Sequence, residues 1–139
     1  LGGLEQLEGD YEAYGMAIAA DEDSPARQFY NTLTSDYGLK APWNVVTAMG
    51  ISQGLFVATV IEHAIQENGA EGLTGEAVRK ALFSKPITTE ETNGFLPTLT
   101  FTPDAPFPLE GLKVNIGTVK NGKIVIEATS VDIPVVQKW

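Results

Sequence analysis

A chain of 139 residues with 43% hydrophobic content can bury one core of ordinary size, so one compact unit is expected rather than two independent domains. Nine Lys plus Arg against eighteen Asp plus Glu give a net charge of −9, which argues against a nucleic-acid partner because phosphate binding needs a clustered basic face. The absence of cysteine excludes disulfide frameworks, thiolate zinc sites and cysteine nucleophiles.

The chain opens at Leu1 without an initiator Met or a basic-then-apolar leader, so a piece of a longer polypeptide is expected. Residues 12–20 are short, mostly apolar and followed by Asp21-Glu22-Asp23, which suits a buried strand leaving the core. Ser24 as N-cap and Pro25 at the first helical position start a helix whose apolar residues Phe29, Tyr30 and Leu33 recur at helical spacing. Tyr37-Gly38 stops it.

After Ala41-Pro42, residues 43–68 run to Gly69 without a proline and form the longest predicted helix. Polar residues concentrate near its end, so its start is expected to be buried and its end solvated. Gly50 and Gly54 lie four apart on one side and permit close approach of a backbone or a ligand. Its apolar window, residues 49–65, carries Ser52, Gln53, Thr59, Glu62 and His63 and reads as too polar for a membrane span.

Thr74 caps a third helix with Ala77, Val78, Ala81 and Leu82 on one face, ending near Pro86. In the Pro-, Thr- and Gly-rich stretch 86–111 only Thr98 to Thr102 reads as a strand. Residues 112–119 and 123–128 flank Lys120-Asn121-Gly122, where Asn-Gly is the strongest short hairpin signal. The order describes an α/β unit with an antiparallel edge.

Catalytic and metal chemistry finds little support, and neither an enzyme, a cofactor nor a metal site is expected. His63 is the only histidine, so no two-histidine metal site can form within the chain, and a surface or capping role is expected for it. Glu90-Glu91 and Asp21-Glu22-Asp23 lack the alternating ligand spacing of a calcium loop and read as solvated turns. Gly50-Ile51-Ser52-Gln53-Gly54 imitates a nucleophile elbow but lies inside a helix-forming run, and Glu62 and His63 follow too closely to complete a triad. No Gly-x-Gly-x-x-Gly occurs.

Four segments taken in order resemble the C-terminal third of the branched-chain-amino-acid-type solute-binding proteins of ABC transporters. They are Tyr14-Gly15-Met16-Ala17-Ile18; residues 24–30 with Tyr37-Gly38-Leu39-Lys40-Ala41-Pro42; residues 50–69 with 73–82; and Asn93-Gly94 with Leu99-Thr100-Phe101-Thr102-Pro103 and residues 119–125. The resemblance implies a partial type I periplasmic-binding-protein lobe: three helices, a short strand set and a C-terminal β-hairpin. All of residues 1–139 would then be one C-terminal lobe and hinge fragment of a two-lobe protein.

It further implies a periplasmic or otherwise extracytoplasmic setting, secreted or as a lipoprotein, with a small-molecule solute and a membrane permease as partners. A ligand-sensing domain of a receptor or regulator is the alternative for the same fold. Members that bind amino acids commonly carry an acid before the glycine that Gly15 matches. Tyr14 stands there instead, a hydroxyl and a ring face without a countercharge, which suggests an aromatic or aliphatic carboxylate ligand. Gly15, Met49, Gly50 and Gln53 complete the expected ligand-binding set, the last three on the premise that the helix starts near Ala48 and offers free N–H groups to an anion.

Overall fold

The computed structural model describes residues 3–15, 22–104, 108 and 112–134. A 3-10 helix, Leu4–Leu7, leads into β1 (Tyr11–Tyr14), and three helices follow: α1 (Pro25–Tyr37), α2 (Val45–Asn68) and α3 (Gly75–Ser84). The hairpin of β2 (Lys113–Lys120) and β3 (Lys123–Asp132) closes the order. Of the strand expected over 12–20, residues 16–21 lie outside the described residues.

Each helix starts where a short polar side chain satisfies a first-turn N–H that has no helical partner. Ser24 Oγ accepts from Arg27 N at 3.1 Å, Asn44 Oδ1 from Thr47 N at 2.9 Å and Thr74 Oγ1 from Ala77 N at 3.1 Å. The cap at Asn44 places the start of α2 at Val45, two residues after the expected position, and leaves Trp43 outside the helix. Asn44→Ala is expected to lower stability by about 1 kcal/mol, read as a lower urea midpoint with unchanged slope.

α2 carries a cluster on each half. Ala26, Ala48 and Phe95 are fully buried with Phe29, Trp43, Ile51 and Leu55 around them, and the Phe95 ring meets Phe29 and Trp43 edge-on with centroids 6.2 and 6.1 Å apart. Toward the other end, Val60 and Ala64 pack on Ala77 and Ala81 of α3 and on Ile87. Each half of α2 buries one side and exposes the other: the solvated end expected at Glu62, Gln66 and Glu67 is present, whereas the start is buried only on the side of Ala48 and Ser52. Val45, Val46, Met49 and Val57 are exposed, while Thr59, Val60, His63 and Ala64 are buried, because α3 covers the later half. By length and composition alone, α2 is also long and apolar enough to cross a membrane, contrary to the sequence reading, although only 22% of its most apolar stretch is buried.

The segment after α3 is an ordered loop rather than a strand. Ile87 and Leu99 form a single antiparallel bridge, exchanging N–H···O bonds of 2.9 and 2.8 Å. The ladder does not continue because the next pair in register would be Thr89 and Pro97: Pro97 has no N–H to give, and the Thr89 N–H donates to Thr98 Oγ1 at 3.3 Å. Gly94 has φ of +78°, and a Cβ there would come within 3.2 Å of Pro25, so glycine serves both the left-handed turn and the contact with the start of α1.

The sheet has the order β1-β2-β3 with both pairings antiparallel; Tyr11 lies opposite Thr118 and Lys120 opposite Lys123, and the β2–β3 register shifts between Val114 and Ile116 and between Ile116 and Gly117. Asn121 and Gly122 both take positive φ, as the two-residue turn requires. Glu8 accepts from the Asn121 and Gly122 N–H groups at 2.8 and 3.1 Å, which ties the N-terminal segment to the hairpin turn and holds its carboxyl below the ordinary carboxylate range.

Candidate functional site

Glu12 and Tyr14 are two apart on β1, so their side chains leave the same face of the sheet. Glu12 lies opposite Gly117 and Tyr14 opposite Asn115. A Cβ at Gly117 would stand 3.3 Å from Tyr14 Cε2 and 3.4 Å from Ile124 Cγ2, so the missing side chain is what lets the Tyr14 ring lie over β2. Above this face the 3-10 helix supplies Leu4 and Leu7. Together with Asp10, Tyr11, Thr118, Val119 and Ile124 these residues line a cavity of about 230 Å³.

The Tyr14 hydroxyl donates to Glu12 Oε2 at 2.5 Å. Burial pushes the phenol up to about 12, and the hydrogen bond to Glu12 and the charge of Glu12 push in the same direction. Tyr14 thus stays protonated at neutral pH and is aimed by the carboxylate beside it. Thr118 Oγ1 is committed to the Asp10 carbonyl at 2.9 Å. The residues around the cavity are apolar (Leu4, Leu7, Val119, Ile124), acidic (Asp10, Glu12) and aromatic (Tyr11, Tyr14).

Tyr14 itself carries no charge, as expected, but it stands beside the Glu12 carboxylate, which the sequence reading did not include. Spacing i, i+2 on a strand was the available signal. Of the other expected residues, Gly15 follows β1 and is exposed, with nothing within 4 Å of a built Cβ. Met49, Gly50 and Gln53 sit together on the exposed face of α2, and none of them lines the cavity at Tyr14. The helix-top premise does not hold either: with the start at Val45, residues 49–53 fall in the second and third turns, where their N–H groups bond within the helix.

His63, expected at the surface, is buried and meets Glu91, which keeps the exposed turn position expected of it. His63 has 1% of its side chain exposed, and its Nε2 lies 2.7 Å from Glu91 Oε1. Nδ1 is buried and has no hydrogen-bond partner among the described residues, and Nε2 faces the Glu91 carboxylate, which can only accept, so Nε2 is the nitrogen that donates. Glu91 Oε2 accepts from Thr88 N and Oγ1, while Glu91 N donates to Thr88 Oγ1 at 3.2 Å. This is a capping box, and Thr88-Thr89-Glu90-Glu91 spells it in the sequence. His63 foremost, then Thr88, hold the Glu91 carboxyl at about 2. Ser52 lies in the third turn of α2, buried, donating to Met49 O at 2.8 Å, so the apparent nucleophile elbow is ordinary helix.

Element order and sheet define an α/β unit of three helices, a short antiparallel strand set and a C-terminal hairpin, and its fold matches part of a solved transporter chain. One solved chain of this fold is a branched chain amino acid ABC transporter from Thermus thermophilus with bound valine, similar at a TM-score of 0.69 and 19% identity. The match covers 92% of this chain but 36% of that one, so the chain spans about a third of the structure it resembles. No protein-family model and no curated protein matches the sequence.

Proposed function

We propose that this chain belongs to the solute-binding component of an ABC transporter, which captures a small amino-acid-like solute between two lobes outside the cytoplasm and delivers it to a membrane permease. The observation that carries this reading is the fold shared over 92% of the chain with a solved transporter protein that holds valine. The cavity at Tyr14 refines the ligand. Glu12 and Asp10 repel a simple carboxylate and favour a solute that also carries an ammonium group, for which Leu4, Leu7 and Ile124 give apolar walls.

The test is a thermal-denaturation screen of the natural polypeptide that contains these residues, against branched and aromatic amino acids and their deaminated acids. At a hundred times Kd, a ligand raises stability by about 2.7 kcal/mol, a shift of several degrees. A shift with at least one amino acid and none with its deaminated partner is expected. No shift with any member, or shifts with the acids alone, would contradict the proposal.

A further inference from the structure

We infer that Asn121 is a deamidation site guarded by the Glu8 carboxylate, and that loss of its side-chain amide frees the N-terminal segment from the hairpin turn. Asn-Gly is the pair at which an asparagine side chain is most open to its own backbone, because glycine has no Cβ to hinder the approach. The chain contains three such pairs, Asn68-Gly69, Asn93-Gly94 and Asn121-Gly122. In the reaction the glycine backbone nitrogen, once its proton has left, attacks Asn Cγ. The new N–Cγ bond closes a cyclic imide, and the side-chain nitrogen departs as ammonia with the proton that the backbone gave up. Water then opens the imide at either carbonyl, leaving aspartate or isoaspartate and a new negative charge.

What holds the glycine N–H therefore sets the rate. Gly69 N donates to Ile65 O at 2.7 Å and Gly94 N to Thr89 O at 2.8 Å, so both are held by main-chain carbonyls, at a helix end and in an ordered loop. The Asn68 side chain is tied as well, its Nδ2 donating to Ala64 O at 2.9 Å, and Asn93 is half-buried. Asn121 is exposed, and the Gly122 N–H rests on a side chain, donating to Glu8 Oε2 at 3.1 Å. That carboxylate retains the proton, since its removal would set an anion against an anion, and the Asn121 N–H on Oε1 at 2.8 Å fixes the turn.

The same bonds hold the N-terminal segment. The 3-10 helix Leu4–Leu7 buries none of its residues, so its place on the sheet depends on Glu8 and on the Gly9 N–H, which donates to Val119 O at 2.9 Å. Imide closure removes the N–H that Glu8 accepts. Hydrolysis restores it beside a second carboxylate and, in isoaspartate, on a lengthened backbone, so the segment leaves the turn. Leu4 and Leu7 then no longer wall the cavity at Tyr14. The site itself is independent of what that cavity binds.

Peptide mapping by mass spectrometry tests the inference on the natural polypeptide that contains these residues, incubated in mildly alkaline buffer with and without urea. In the folded protein Asn121 is expected to convert first. Glu8→Ala should speed its conversion by about tenfold, as expected for loss of a hydrogen bond to a charged acceptor, with Asn68 and Asn93 unchanged. In urea, native and Glu8→Ala proteins should convert Asn121 at the same rate. Conversion of Asn68 or Asn93 ahead of Asn121, an unchanged Asn121 rate in folded Glu8→Ala, or equal acceleration of all three would overturn the guarded site. Anion exchange isolates the converted protein by its added charge, and the Gly9 and Asp10 N–H groups should exchange with solvent faster in it than before conversion. Equal exchange in the two forms would overturn the release of the segment.

Discussion

Replacing Phe95 with alanine is expected to destabilise the protein by about 3–5 kcal/mol, a large part of the stability of a domain this size. Phe95 is fully buried, and its ring is the common partner of Phe29 on α1 and Trp43 before α2. Removing the ring opens a cavity that neither partner can fill without leaving its own contacts, since Tyr30 next to Trp43 is fixed by its hydroxyl on the Ala41 carbonyl at 2.7 Å. Chemical denaturation followed by circular dichroism measures the loss. Phe95→Leu, which retains most of the apolar volume, should lose less than half as much. Equal losses for the two variants would show that packing around the ring is not the cause.

Glu91→Ala is expected to cost about 2–3 kcal/mol, because it strands the buried His63 ring and the Thr88 N–H together. The same carboxylate gives the fold an acid dependence of definite sign. Its carboxyl lies at about 2 in the folded chain against an ordinary 4.5, so the stability it adds is fully present above 4.5 and is lost as pH falls from there toward about 2. For a side chain 36% exposed, solvent screening leaves roughly 1–2 kcal/mol of this dependence. Urea midpoints measured between pH 6 and 2.5 should fall more steeply in the native chain than in Glu91→Gln. Parallel curves would mean that the pair contributes nothing to acid stability.

What the sequence revealed, it revealed through local chemistry. Ser24-Pro25, Thr74 and Asn121-Gly122 each specify a cap or a turn within four residues, and helices α1 and α3 and the hairpin stand where those signals put them. Contacts between distant segments were less accessible. His63 meets Glu91 across 28 positions, and nothing near His63 distinguishes a buried ring from an exposed one. Which side of α2 is buried is chosen by distant segments, Phe95 on its first half and α3 on its second, and polarity along the helix does not reveal it. Two signals were present and unread: the Thr88–Glu91 capping box, and the i, i+2 spacing that sets Glu12 beside Tyr14. Residue 14 taken alone suggested a ligand without an ammonium group, and the paired strand face suggests the opposite.

The central claim is that this fold serves to hold an amino-acid-like solute whose ammonium faces Glu12. Isothermal titration of valine and of its deaminated analogue, 3-methylbutanoate, into the natural polypeptide tests it most directly, with Glu12→Gln alongside. Saturable one-to-one binding of valine or a related amino acid, at least about tenfold weaker for the deaminated analogue and weakened by a similar factor in Glu12→Gln, is the predicted result. Equal or tighter binding of the deaminated acid, or binding indifferent to Glu12→Gln, would contradict it.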